Sequence, residues 1–111
     1  MDAGALDRRL TIRRATRTQN ALGETVETWA DVATVWASKV DKATAEADAR
    51  GSGEARAATI TTHFAVRWSA TTATVSALDR VVCAGRDFDV HGVREIGRRE
   101  GLEIIAMARA E

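Results

Sequence analysis

Apolar and polar residues alternate along much of this chain with the two-residue period of strands that have one covered face. Between Arg9 and Thr18, Leu10 and Ile12 fall on one side and Thr11 and Arg13 on the other, before the stretch turns polar at Arg14 and Arg17. Asn20-Ala21-Leu22-Gly23 supplies residues that tolerate positive φ, and Thr25 to Trp29 then resumes a β-rich stretch, which predicts a first hairpin. Ala33 to Val40 is a further β-prone run whose apolar residues fall on both faces, the pattern of a strand covered on two sides, one of them by a neighbour. The clearest alternation runs from Thr59 to Trp68. Ile60, Thr62, Phe64, Val66 and Trp68 share one face, which predicts the central core strand and a cost of about 3–5 kcal/mol for Trp68→Ala. Arg80 to Ala84 and Asp87 to Val90 form a second hairpin through Gly85-Arg86, a pair suited to a type II′ turn. Val93 to Ile96 and Leu102 to Met107 flank the polar Gly97 to Gly101 segment as a closing hairpin.

The stretch 41–58 interrupts this pattern. It holds alanine, charged residues and Gly51-Ser52-Gly53 but no large apolar side chain, so nothing in it can anchor to a core. Ala43 to Arg50 are good helix formers with a glycine following, which predicts a flexible insertion after the second or third strand, carrying a helix of about two turns. Many short strands at close intervals without crossover helices exclude βαβ architectures. They predict an all-β fold: a small antiparallel β-barrel, in which short strands pair without long exposed edges. No internal repeat or linker divides the chain, so residues 1–111 are read as one domain.

Composition narrows the function. Much of the 45% hydrophobic fraction is alanine, which leaves Trp29, Trp36, Trp68, Phe64, Phe88 and the aliphatic residues to anchor a thin core. Sixteen basic and sixteen acidic residues balance to zero, so no global field draws in nucleic acid or an anionic membrane. Cys83 is the lone cysteine, which excludes an internal disulfide, a cysteine-based zinc site and a redox pair. The first residues lack a signal-like apolar run and no stretch approaches the roughly 20 apolar residues of a membrane span, which predicts a soluble protein made in the cytoplasm.

Thiol chemistry needs an imidazole beside the nucleophile, and His63, Cys83, Asp89 and His91 are the residues from which such a set would be drawn. Cys83 alternates with Val81 in an apolar run and reads as a small buried hydrophobe, while His63 falls on the polar side of its strand and reads as solvated or at an interface. Asp89 and His91 share a strand face, an arrangement too common to predict a metal site. No catalytic residue, metal or cofactor is predicted. The basic pairs Arg8-Arg9, Arg13-Arg14 and Arg98-Arg99 are interleaved with Asp7, Glu95 and Glu100 and read as solvated faces and subunit salt bridges. A small β-barrel binding single-stranded nucleic acid is the alternative reading.

The order of these segments resembles a known family. Leu6-Asp7-Arg8-Arg9-Leu10-Thr11-Ile12, a turn ending in Gly23, and the run from Val26 through Trp29 and Trp36 to Ala37 look like the N-terminal signature of phage head–tail joining proteins, the adaptors and stoppers of the connector. Asp79 to Val90 and the final strand Leu102 to Ala106 are similar to that family's C-terminal half. The chain lacks the aromatic or second glycine usual in the first turn and the proline usual after the central strand, departures that fit a divergent branch such as a gene transfer agent. The resemblance implies a structural, non-enzymatic subunit of a homo-oligomeric ring, a hexamer or dodecamer, in the neck of a virion or phage-like particle. Its implied partners are portal or adaptor proteins on the head side and tail terminator or tail proteins on the other, with double-stranded DNA passing without sequence-specific binding and no membrane. It also implies that the long loop faces the channel, which here makes Asp41, Lys42, Glu46, Asp48, Arg50, Glu54 and Arg56 the channel or subunit contacts.

Overall fold

The computed structural model of the chain describes residues 3–45 and 58–109. Six strands, β1 (Arg8–Gln19), β2 (Thr25–Ala45), β3 (Ala58–Arg67), β4 (Arg80–Cys83), β5 (Arg86–Ile96) and β6 (Gly101–Ala108), close into an antiparallel barrel in the order β1-β2-β3-β6-β5-β4. The predicted all-β barrel is thus the fold. Alternation decides what fills it: Leu10 and Ile12 of β1, Ala37 of β2, Phe64 and Val66 of β3, Val81 and Cys83 of β4, Phe88 and Val90 of β5, and Leu102, Ile104 and Ala106 of β6 all point inward and are buried. Phe64 and Phe88 meet edge to face at its centre, with ring centroids 5.1 Å apart at 84°.

Two β-bulges explain where the alternation misled. The register of β1 on β2 shifts between Ile12 and Arg13, leaving Val32 without a cross-strand partner, so the two runs read as separate strands are one 21-residue strand. A second shift, at His91 of β5, lets Val90 and Val93 both turn toward the core although they are three residues apart. Asp87–Val90 and Val93–Ile96 are therefore one strand as well. The predicted helix is corrected too: Ala43 to Ala45 belong to β2, and the remainder of that reading lies outside the described residues.

The tryptophans are not the core. Trp68 lies at the margin of the buried cluster, Trp29 is half-buried and Trp36 is 52% exposed. Each lies under an arginine: Arg80 stands 4.0 Å from the ring of Trp29, Arg9 4.6 Å from Trp36 and Arg99 5.0 Å from Trp68. An indole on an outer strand face keeps part of its surface dry beneath a guanidinium, and the cation gains the attraction of the ring quadrupole. Ile60, also expected inside, is exposed because β3 has left the barrel wall at that point.

The β4–β5 turn differs from its prediction by one residue. Ala84 and Gly85 both have positive φ, 52° and 78°, so the pair forms a type I′ turn with Cys83 opposite Arg86. Ala84 carries a Cβ in the left-handed region, which costs about 1–2 kcal/mol. Replacing Ala84 with glycine removes that strain against a higher unfolded-chain entropy, and is expected to raise stability by about 0.5–1 kcal/mol. A chemical-denaturation midpoint that falls in Ala84→Gly would contradict it.

β2 is longer than the barrel and leaves it at both ends. Beyond Arg13, β1 pairs with β2 alone, so 14–19 and 25–30 form a two-stranded arm. At the other end, Lys42 to Ala45 pair with Ala58 to Thr61 beyond the reach of β6, as a second ribbon. The radius of gyration, 16.8 Å, exceeds the roughly 13 Å of a compact domain of this length, as projecting ribbons require.

Candidate functional site

The end of the barrel beneath the first arm is closed by the loop between β3 and β4. Thr72, in a short 3-10 turn (Thr72–Thr74), is buried: its hydroxyl donates to the Arg67 carbonyl at 2.8 Å and accepts from the Ser69 amide at 2.8 Å. Asp79 closes the loop from the other side. Its carboxylate is 2% exposed, accepts from the Ser76 amide at 3.1 Å, and takes two near-parallel bonds from Arg14 at 2.9 and 3.0 Å. Arg14 follows Leu10 and Ile12 on their face of β1, so the position where the apolar stripe runs out ties the arm to the closing loop. The Asp79 hydrogen bonds raise the Arg14 pKa further above its ordinary value.

The opposite end is an open mouth. Lys39, Asp41, Ile60, Thr62, Arg86 and Phe88 line a cleft of about 370 Å³ there, where the β2–β3 ribbon departs. The Thr62 hydroxyl donates to Asp41 at 2.8 Å and Lys39 lies 3.3 Å from its other oxygen. The Thr62 bond, then Lys39, holds the Asp41 carboxyl below its ordinary range despite some burial. Such a carboxylate contributes stability above its unfolded pKa and loses it as pH falls through the lower folded value.

Of the residues assigned to the channel loop, Asp41 and Lys42 are therefore strand residues, not loop residues. Alternation sends Asp41 to the mouth and Lys42 to the opposite face of the ribbon. Glu46, Asp48, Arg50, Glu54 and Arg56 lie outside the described residues. Sequence reasoning missed Lys39 and Arg86 at the mouth, and, although it predicted the first hairpin, missed that this hairpin projects from the barrel as an arm. The signal for the mouth was present: Lys39 breaks an apolar run on the same face as Ala37, as a strand does where it leaves a core.

The thiol–imidazole set is not assembled. Cys83 points into the core from β4, and His63 sits on the outer side of β3, which is opposite β4 in the ring of strands. Asp89 is occupied by Arg109 at 2.8 Å and Arg80 at 3.5 Å, while His91 is exposed at its bulge. Among the described residues, no group of three His, Cys, Asp or Glu side chains is placed to hold a metal. His63 is more covered than its polar face suggested: its Nδ1 is buried without a hydrogen-bond partner, 3.6 Å from Glu103, and Nε2 lies 3.2 Å from the Thr61 hydroxyl.

The arginine pairs read as solvated faces are largely engaged. Arg13 bonds Asp31 at 2.9 Å, Arg14 bonds Asp79, and Arg9 and Arg99 cover tryptophans. Along the arm, the Trp29 indole donates to Glu27 at 2.9 Å and Arg17 meets the same carboxylate at 3.2 Å, which together lower the Glu27 pKa.

Comparison with known proteins agrees with this geometry. The solution structure of protein SF1141 from Shigella flexneri 2a is similar, with a TM-score of 0.70 and 26% identity over 100% of this chain and 99% of that one. A chain in the virion of a native gene transfer agent particle has the same fold, with a TM-score of 0.67 and 21% identity over 94% of this chain and 96% of its own. No curated protein matches the sequence. The family described as phage head completion protein matches residues 1–109, nearly the whole chain. This barrel, with its closed end, open mouth and two ribbons, belongs to the phage head completion protein family, a family of virion structural proteins.

Proposed function

We propose that the chain is one subunit of a closed ring in the head–tail connector of a tailed-phage-like particle, as a stopper or adaptor, with no enzymatic task. The observation that carries this reading is the length of β2. One 21-residue strand runs through the barrel and supports a ribbon at each end, so a single rigid element reaches in two directions from one body. A barrel has no free edges of its own, and ribbons supply them at chosen places. The two ends suit the two sides of a connector, portal or adaptor proteins on one and tail proteins on the other. The half-exposed Trp36 and Val40, on the outer face of β2, suit a neighbouring subunit.

The ribbon at the mouth leads into 46–57, and we assign Glu46, Asp48, Arg50, Glu54 and Arg56, with Asp41 and Lys42, to the channel or the adjoining subunit. Four acids and three bases across 41–58 nearly cancel, which lets double-stranded DNA pass with little adhesion. Electron microscopy of the particle neck tests the ring: density for this chain as a closed hexamer or dodecamer is expected, and its absence from the neck would overturn the reading. Deleting 46–57 is expected to leave the barrel folded while packaged DNA leaks. Full retention of DNA in deletion particles would count against gating.

A further inference from the structure

The tip of the β1–β2 arm and a notch at the arm's own base are complementary, yet they lie at opposite ends of one ribbon and cannot meet within a subunit. The notch, about 270 Å³, opens where β2 and β3 diverge and is lined by Arg9, Thr34, Val35, Trp36, Arg67 and Ser69. Its accessible wall is mainly apolar, with Trp36 52% exposed. Neither Arg9 nor Arg67 has a carboxylate partner among the described residues, Arg9 being engaged by the Trp36 ring instead. Beside the notch, β2 from Thr25 to Trp36 pairs with β1 alone, so its second edge offers unpaired backbone groups.

The tip carries the matching chemistry. Leu22 is 83% exposed, the most open large apolar side chain in the described structure, and the carboxylate of Glu24 has no cation partner among the described residues. The turn is held by its own hydrogen bonds: the Asn20 side-chain oxygen accepts from the Leu22 amide at 2.9 Å and the Glu24 amide at 3.0 Å, and the Gly23 amide donates to the Asn20 carbonyl at 3.0 Å. A tip already ordered loses little entropy on docking.

We infer that the arm tip of one copy seats in the notch of the next, with Leu22 against Trp36 and Val35, and Glu24 between Arg9 and Arg67. The inference deepens the ring reading and rests on it. The contact is head-to-tail, the kind that repeats around a ring, because it joins two different surfaces and leaves one of each free on every pair. Its spacing is feasible: ten residues from Arg9 to Gln19 rise about 33 Å along the strand. The tip therefore stands well clear of the notch on its own subunit and is free to meet that of another.

Cross-linking in assembled particles tests it. With the lone native thiol, Cys83, buried, Leu22→Cys together with Thr34→Cys is expected on mild oxidation to give a ladder of linked multimers up to the ring size, and either substitution alone no more than dimers. Glu24→Arg is expected to reduce incorporation into particles at least tenfold, and Arg67→Glu in the same chain to restore it. Leu22 is exposed at a turn, so Leu22→Asp folds normally by circular dichroism and fails to assemble. Rings that persist unchanged in Leu22→Asp and give no ladder in the double-cysteine particle overturn this contact and leave the ring standing. No ring in wild-type particles overturns both. A labelled oligothymidylate that binds the wild-type chain and not Trp36→Ala assigns the notch to nucleic acid and also overturns the contact.

Discussion

Phe64→Ala is expected to lower the free energy of unfolding by about 3–5 kcal/mol, the range for truncating a buried phenylalanine. Phe64 has no exposed surface, is the largest of the fully buried side chains, and packs edge to face on Phe88. Truncation loses transfer free energy and the aromatic pair, worth about 0.5–1.5 kcal/mol beyond its area, and opens a cavity that strands hydrogen-bonded on both sides cannot close. Against the 5–15 kcal/mol that typically holds a domain folded, one substitution removes a large share. Urea denaturation measures it directly. Trp68→Ala is the informative control, because that ring lies at the edge of the cluster beneath Arg99 and its loss should cost clearly less. Equal losses in the two variants would mean that the barrel is organised around Trp68, as alternation alone implied.

The contrast between Phe64 and Trp68 marks what the sequence could and could not tell. Inward alternation identified Leu10, Ile12, Phe64, Val66, Val81 and Cys83 on the correct faces, because a strand in a closed barrel has one dry side and periodicity reports it. The tryptophans were misplaced because size and apolarity do not distinguish a buried indole from one partly covered on the outside by a guanidinium. That distinction depends on which arginine the register sets opposite, as Arg9 is set against Trp36. The bulges at Val32 and His91 were hidden for a related reason: one extra residue reverses the alternation, so a continuous strand reads as two. The hairpin of the arm was legible in its turn residues and β-prone flanks, but its projection beyond the barrel was not, because a two-stranded ribbon in solvent has no dry face to leave a hydrophobic period. Within the mouth, Asp41 was singled out only through the family resemblance, as a charged residue of the stretch expected to face the channel. Its bond to Thr62, 21 residues away, follows only from the β2–β3 pairing.

Arg14→Ala is expected to cost about 3 kcal/mol, the lower end for breaking a buried ion pair by removing one member, because water can enter where a side chain already 38% exposed has been cut back. The Asp79 carboxylate would be left in the closing loop with the Ser76 amide as its remaining donor, and Thr74 would lose its bonds to the guanidinium at 3.0 and 3.3 Å. Asp79→Ala also destabilises, by a different route: the guanidinium it frees can turn to solvent, but the loop loses its cap at Ser76. Because the two side chains serve one contact, the double variant should cost less than the sum of the singles, with a coupling of about 1–3 kcal/mol by thermal or chemical denaturation. Strict additivity would show that the pair does not act as a unit. The pair also fixes the arm against the closed end of the barrel, so its loss has a consequence that a core truncation lacks. A variant such as Val66→Ala, selected to match Arg14→Ala in stability, keeps the arm tied down. If the arm carries the contact between subunits, particles should incorporate Arg14→Ala less well than that matched variant at a temperature where both are folded. Equal incorporation would separate the ion pair from assembly and leave it a purely stabilising clamp.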